Sequence, residues 1–148
     1  MTSGYLLDTS VLSLLAPGKA PPAETLANWI RAHNDALYIS AITVAEVEQG
    51  IRKLRRAGAA ERADALANWL DALIENGEQR ILPFDARAGR IAGELSDQAI
   101  AIGRHPGFAD VAIAATAVAN GLLVLTHNGK HFTSLGVAFI DPVIELPD

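Results

Sequence analysis

The chain contains no cysteine among its 148 residues. Disulfide bonds and thiolate metal sites are therefore both excluded, and the cytoplasm is the favoured compartment. The start of the sequence lacks a basic segment followed by an apolar run, because Asp8 interrupts it, so we expect no signal peptide. The longest apolar stretch, residues 111–126, is broken by Asn120 and Gly121 and is short for a membrane span. We therefore expect a protein without a membrane segment.

Positive charge is also scarce, because the 12 lysines and arginines are outnumbered by 17 aspartates and glutamates, which leaves a net charge of −5. This balance argues against a protein that coats nucleic acid through its overall charge. It leaves open a protein that holds a strand locally beside a metal. Since 50% of the residues are hydrophobic and 20% are charged, the composition is typical of a globular chain. We predict one domain covering residues 1–148, long enough to bury a substantial core.

Short apolar runs alternate with helical patterns along the chain. We predict five strands, at residues 4–7, 37–39, 81–82, 122–125 and 137–140. Apolar residues recur at intervals of three and four in four other segments, which we predict as helices: residues 44–54, 63–74, 88–102 and 108–118. Residues 17–22 and 103–107 are predicted surface loops. This alternation indicates an α/β fold, with an open parallel five-stranded sheet and helices on both faces.

Acidic side chains follow several of these strands. Asp8 closes the first strand, Glu46 comes a few residues after the second, and Asp110 opens an apolar helix. Loops at the carboxyl ends of parallel strands converge on one crevice, so the three acids can meet there. Carboxylates about 6 Å apart would repel by roughly 3 kcal/mol at an effective dielectric constant of 20, or about two pKa units, and a cation would relieve that repulsion. Hard oxygen ligands without His or Cys favour Mg²⁺ or Mn²⁺ over Zn²⁺.

Each of these acids also has a plainer explanation in helix capping. Asp8 is placed to cap the turn after its strand. Thr43 and Glu46 match the Thr-x-x-Glu capping box, with Glu46 at the third helical position. Asp110 would be favoured by the helix dipole whatever its function. Three independent caps would not need to fall at the same edge of three strands, so their joint placement favours a metal site.

Four segments of the chain resemble the motifs of the PIN domain. In chain order they are residues 6–12 (LLDTSVL), 39–47 (ISAITVAEV), 110–117 (DVAIAATA) and 126–132 (THNGKHF). The order and spacing match nearly from end to end, and the chain is most similar to VapC-type toxins of bacterial toxin–antitoxin pairs, including the FitB-like branch. The resemblance implies a PIN-like fold and an Mg²⁺- or Mn²⁺-dependent endoribonuclease. It further implies a homodimer that is neutralised by a VapB-type antitoxin.

The predicted mechanism places the cation on Asp8 and Asp110, with Glu46 reaching it directly or through water. Water activated by the cation would attack the phosphodiester phosphorus. The resemblance implies products with 5′-phosphate and 3′-hydroxyl ends. Because proteins read RNA where bases are exposed, we expect a single-stranded or structured loop of RNA as the target. Thr9 is expected to support the acids by hydrogen bonding.

The last motif contains the main departure from the family pattern. Many PIN domains carry a fourth acid where this chain has Asn128. An amide oxygen can coordinate weakly or orient a water beside the ion. We therefore expect one tightly held ion and a second that arrives with the substrate phosphate. The neighbouring His127, Lys130 and His131 are candidates for contacts with phosphate.

Several charged residues outside the motifs have ordinary structural explanations. We predict that Asp85 caps the helix after the third strand. Glu94 and Asp97 are predicted on the solvated face of that helix. The basic run at residues 52–56 is also predicted to be a solvated helix face, although it would equally suit RNA or an acidic partner.

Two rival functions compete with the nuclease hypothesis. The first is a phosphotransfer enzyme, which could be a phosphatase or a receiver. A haloacid-dehalogenase-like phosphatase needs a second acid two residues after the first, and this chain has Ser10 there. A response-regulator-like receiver needs an acidic pair before its active-site strand and a well-placed late lysine, and neither is present. The second rival is a catalytically weak binding module that acts with its antitoxin in DNA-bound autoregulation. Asn128 leaves that alternative open, and three retained acids argue against it.

Overall fold

Five short strands form one parallel sheet at the centre of the molecule. The computed structural model describes residues 4–148. The strands are β1 (Tyr5–Leu7), β2 (Leu37–Ser40), β3 (Ile81–Leu82), β4 (Leu123–Leu125) and β5 (Phe139–Ile140). They pair in the order β3-β2-β1-β4-β5, and every pairing is parallel. The predicted α/β class and all five predicted strands are confirmed.

Seven α-helices in the described part of the chain surround this sheet. They are α1 (Thr9–Leu12), α2 (Glu24–Ala32), α3 (Ala41–Arg56), α4 (Ala60–Gly77), α5 (Ala86–Ala101), α6 (Phe108–Asn120) and α7 (Lys130–Thr133). The four predicted helical segments correspond to α3, α4, α5 and α6, and both predicted loops lie between elements. The sequence did not predict α2, which begins after Ala23 without a side-chain cap and buries only Leu26 and Trp29.

The helices cover both faces of the sheet, as predicted. Leu6 and Val124 belong to an apolar cluster with residues of α5 and α6. Their neighbours Leu7 and Leu125 belong to a second cluster, which includes residues of α1 and α2. Because successive residues of a strand point to opposite faces, each central strand contributes to both cores.

Helix α6 is the most deeply buried helix segment of the core. Residues 111–117 are each exposed by 3% or less. Its two ends differ, because Phe108 and Val118 are 67% and 47% exposed, so the apolar pattern of this helix extends beyond the part that packs. Even so, no helix within residues 4–148 is long and apolar enough to cross a membrane.

Candidate metal site at the strand ends

The direction in which the sheet is wound reverses between β1 and β4. The chain passes from β1 to β2 and β3 on one side, and then places β4 and β5 on the other side of β1. In open α/β sheets, ligands bind beyond the carboxyl ends of the strands at such a reversal. Asp8 directly follows β1 and Thr126 directly follows β4, so both residues border this crevice.

Asp8 is held at the crevice by two hydroxyl groups. The side chain is buried, and its Oδ2 accepts hydrogen bonds from Ser10 Oγ and Thr126 Oγ1, each at 2.8 Å. The same two hydroxyl oxygens also accept hydrogen bonds from the backbone. The N–H of His127 donates to Ser10 Oγ at 3.0 Å, and the N–H of Asn128 donates to Thr126 Oγ1 at 2.9 Å. The backbone after β4 therefore positions Asp8 through two hydroxyl relays.

The geometry does not support helix capping as the role of Asp8. Asp8 occupies the N-cap position of α1, but its side chain makes no capping hydrogen bond. No residue within 4–148 donates a hydrogen bond to its Oδ1. One carboxylate oxygen is thus anchored by the protein and the other is available to a ligand.

Glu46 is also not a helix cap, and the predicted capping box is wrong. Helix α3 begins at Ala41, and its cap is Ser40, whose hydroxyl accepts the N–H of Ile42 at 3.0 Å. Glu46 therefore lies in the second turn of the helix. Its Oε1 accepts a hydrogen bond of 2.6 Å from Thr9 Oγ1. Thr9 therefore donates to Glu46, and its predicted role in supporting the acids stays a prediction.

Asp110 lies in the first turn of α6, close to His131. Its Oδ2 is 3.3 Å from Nδ1 of His131, which is a residue of α7. Burial raises the pKa of Asp110, the charge of His131 lowers it, and the charge of Asp8 raises it. Loss of solvation is a larger cause of the raised pKa than repulsion from Asp8. The effect of Asp8 indicates that the two carboxylates are electrostatic neighbours.

The three acids have the donor chemistry of a magnesium or manganese site, but not a closed cage. Each has one oxygen that accepts no hydrogen bond from residues 4–148: Oδ1 of Asp8, Oε2 of Glu46 and Oδ1 of Asp110. In that part of the chain, no three acidic or histidine side chains are grouped closely enough to hold one metal. Mg²⁺ usually keeps several waters and binds one or two carboxylates, so the residues fit a partly hydrated ion.

Three polar residues of the last motif lie at the surface. Asn128, His127 and Lys130 are all exposed. Asn128 contributes its backbone N–H, and its side chain makes no hydrogen bond with the described residues. His127 Nδ1 is 2.9 Å from Oδ2 of Asp141, which follows β5. Their predicted contacts with metal or phosphate stay predictions.

The structural explanations for the remaining charged residues are confirmed. The carboxylate of Asp85 accepts the N–H of Ala88 at 3.0 Å and caps α5. Glu94 and Asp97 are both exposed. All four basic residues of the run at 52–56 are exposed as well, as predicted for a solvated helix face.

Thr126 is the residue of this site that the sequence prediction missed. It was noted only as the first residue of a motif, yet it is fully buried and donates to Asp8. One signal was present, because Thr126 follows β4 as Asp8 follows β1. Recognising it requires knowing that these strands are neighbours.

Comparison with known proteins identifies the family. The PIN domain model matches residues 5–137. The VapC ribonuclease Y4jK of Sinorhizobium fredii is 39% identical over 139 residues, which are 93% of this chain and 96% of that protein. The crystal structure of FitAcB from Neisseria gonorrhoeae matches with a TM-score of 0.80 at 32% identity, over 93% of this chain and 97% of that one. A structure of FitAB bound to a DNA fragment matches with a TM-score of 0.71 at 32% identity, over 94% and 95%.

These matches extend over most of each chain, and they confirm the predicted similarity to VapC-type and FitB-like proteins. They also agree with the parallel sheet flanked by helices. The chain therefore belongs to the PIN-domain family.

Proposed function

We propose that this protein is a metal-dependent endoribonuclease, the toxin of a toxin–antitoxin pair. The observation that carries the proposal is the environment of Asp8. A buried carboxylate is held by two hydroxyls at the reversal point of the sheet, with its second oxygen available to a ligand. A relative that is 39% identical and named a ribonuclease supports the same activity.

In the proposed reaction, Asp8 and Asp110 would hold an Mg²⁺ or Mn²⁺ ion, with Glu46 reaching it directly or through water. A bound divalent cation supplies stabilisation of charge on the phosphate oxygens and lowers the pKa of water. Thr9 fixes Oε1 of Glu46, so Oε2 is the atom that accepts a hydrogen bond from the attacking water. The water gives a proton to Oε2 of Glu46 as its oxygen forms a bond to phosphorus. The bond from phosphorus to the 3′ oxygen breaks, and that oxygen takes up a proton from solvent. The products carry a 5′-phosphate and a 3′-hydroxyl end.

The proposed substrate is RNA that is single-stranded or folded into an exposed loop, where bases are accessible. His127 and Lys130 are exposed beside the loop that holds Asp8, which supports a role in contacting phosphate. His131 is 3.3 Å from Asp110 and partly exposed, so it is available to a phosphate at the same place.

The proposed protein partners are a VapB-type antitoxin and a second copy of this chain. Structures of similar chains named FitAcB and FitAB support an antitoxin partner. Exposed apolar side chains near the end of α5 and the start of α6 support dimerisation, since Ile100, Ile102 and Phe108 are 52%, 67% and 67% exposed. A light-scattering mass equal to one chain at micromolar concentration would contradict the dimer.

The second candidate function is a catalytically weak module that acts with its antitoxin on DNA. Two observations favour it: Asn128 replaces an acid that many PIN domains carry, and the similar FitAB structure is bound to DNA. The two candidates differ in whether the isolated protein cleaves RNA.

The deciding experiment is cleavage of total bacterial RNA by the purified protein without its antitoxin. Reactions contain Mg²⁺, Mn²⁺ or EDTA, and the Asp8→Asn variant, purified identically, measures contaminating nuclease. We expect discrete fragments that require both the metal and Asp8, with 5′-phosphate ends. Cleavage equal to that of the variant in every metal would reject the nuclease and favour the binding module.

A further inference from the structure

A surface groove adjoins the Glu46 side of the candidate site. The groove has a volume of about 430 Å³, and its walls come from α3, α4 and the chain segment that follows α1. Thr9 and Glu46 are part of its lining, so the groove and the candidate site share these two residues. We call it the basic groove, after three of its lining residues: Lys19, Lys53 and Arg62.

The three cations of the basic groove are not paired. All three are exposed, and their side chains make no ion pair or hydrogen bond with residues 4–148. The nearby Arg52 and Arg55 differ, because they pair with Glu48 at 2.9 Å and with Asp64 at 2.7 Å. Within residues 4–148, Glu46 is the one acidic residue of the lining, so the three unpaired cations leave the groove with a net positive charge, which suits an anion.

The groove also has an apolar wall that includes an aromatic ring. Trp69 of α4 is half-buried and lines the groove together with Leu54 and Leu66. Sites for single-stranded nucleic acid combine a positive groove, which follows the phosphates, with aromatic rings on which bases stack. Both components are present here within one groove.

We infer that the basic groove holds a single-stranded segment of the RNA substrate next to the bond that is cleaved. The inference rests on the proposed ribonuclease function and adds the path of the substrate. Lys19, Lys53 and Arg62 neutralise phosphates, and Trp69 stacks on a base. Thr9 and Glu46 line the groove and also belong to the candidate site, so a strand in the groove would continue to the acids. RNA matches three separate cations because it carries one phosphate per nucleotide.

The test compares two double variants with the same change in net charge. Lys53→Ala/Arg62→Ala removes two groove cations, whereas Arg52→Ala/Arg55→Ala removes two paired cations near the groove. Both are made in the Asp8→Asn background, so RNA is not cleaved. Binding of a fluorescein-labelled single-stranded RNA is measured in EDTA at several salt concentrations.

We expect the groove variant alone to lose affinity and salt dependence. Each lost phosphate contact lowers the magnitude of the slope of log K against log[salt] by about 0.7, so two lost contacts lower it by about 1.4. At 0.1 M salt, this change corresponds to a loss of roughly 25-fold in affinity. RNA should also quench tryptophan fluorescence, and that quenching should be lost in Trp69→Phe. In the active protein, the groove variant should raise KM with little change in kcat.

Equal RNA affinity and equal salt slopes for the two double variants would overturn the inference. It would also be wrong if the groove variant bound RNA normally but resisted inhibition by the antitoxin, because the groove would then bind an acidic protein segment. The proposed function can fail separately. If the unsubstituted protein did not cleave RNA in any metal while only the groove variant lost binding, the nuclease would be rejected and the RNA groove retained.

Discussion

The two sides of the acidic crevice are built differently. On the sheet side, Asp8 is 4% exposed and accepts two hydroxyl groups, each positioned by a backbone N–H. On the helix side, Glu46 and Asp110 are partly exposed, and each has a single side-chain partner. The fold therefore determines the position of Asp8 closely, whereas the two helix acids retain freedom to adjust to a ligand. Within residues 4–148, the three acids do not close around a single ion position.

Removing the charge on the sheet side should have the largest effect. Asp8→Asn keeps the size of the side chain and one oxygen acceptor, but it removes the charge that would hold the cation. Since electrostatic stabilisation by a metal is worth several kcal/mol, we expect kcat/KM to fall by about 10³-fold or more, with the fold retained. Cleavage assays and thermal unfolding would check both parts. Activity above a tenth of the original would contradict a direct role for Asp8.

Glu46→Gln tests the helix side and should have a smaller effect. Glutamine keeps an oxygen for the hydroxyl of Thr9, and the cap of α3 is Ser40, which is unchanged. Loss of one charged hydrogen bond to water, worth about 1.5–3 kcal/mol, should lower kcat/KM by roughly 10- to 100-fold. Calorimetry should give a Tm within about 2 °C of the original. Full activity would remove Glu46 from the mechanism.

Thr126→Val tests whether the hydroxyl relays make the sheet side rigid. The change is nearly isosteric, but it removes a donor to Asp8 and leaves the N–H of Asn128 without its acceptor. We expect the free energy of unfolding to fall by about 1–3 kcal/mol, which corresponds to about 2–4 °C in Tm per kcal/mol. Activity should fall by less than in Glu46→Gln.

Thr116→Val is the matched control for that change. Thr116 is fully buried in α6, and its hydroxyl donates to the carbonyl of Ala112, away from Asp8. It should leave activity unchanged. Equal losses of activity in the two threonine variants would mean that the relay has no special role.

The smallest expected effect is a dependence of stability on pH that arises from Asp110. Burial raises the pKa of Asp110 in the folded protein, so the folded state binds this proton more tightly than the unfolded chain. Stability therefore falls as pH rises from the ordinary carboxyl pKa through the raised one. Asp110→Asn cannot ionise, so it should match the original protein in strong acid and be more stable at neutral pH. Urea midpoints measured in EDTA across this range would check the sign, and identical midpoints at neutral pH would refute it.

The strands and acids were predictable because each depends on local sequence. Asp8 follows an apolar run, and Asp110 directly precedes the buried segment of α6, so their elements could be assigned from pattern alone. Helix α2 was missed because it is short and is preceded at its N-cap position by Ala23, which provides no capping signal. The capping box failed for a related reason, since Ser40 caps α3 three residues before Thr43.

The contacts that complete the site depend on long-range pairing. Thr126 is separated from Asp8 by 118 positions, and the two meet only because β4 pairs with β1. Local sequence patterns do not encode which strands are neighbours, so the relay through Thr126 could not be read from them. The same limit applies to the contact between Asp110 and His131, which joins two helices.

The relay to Asp8 uses main-chain N–H groups at positions 127 and 128, and almost any amino acid can supply these. Both side chains are exposed, so evolution can exchange them without moving the buried carboxylate. Libraries randomised at these two positions should therefore yield many folded proteins that keep Asp8 in place, which makes this loop a starting point for testing the phosphate contacts proposed for it.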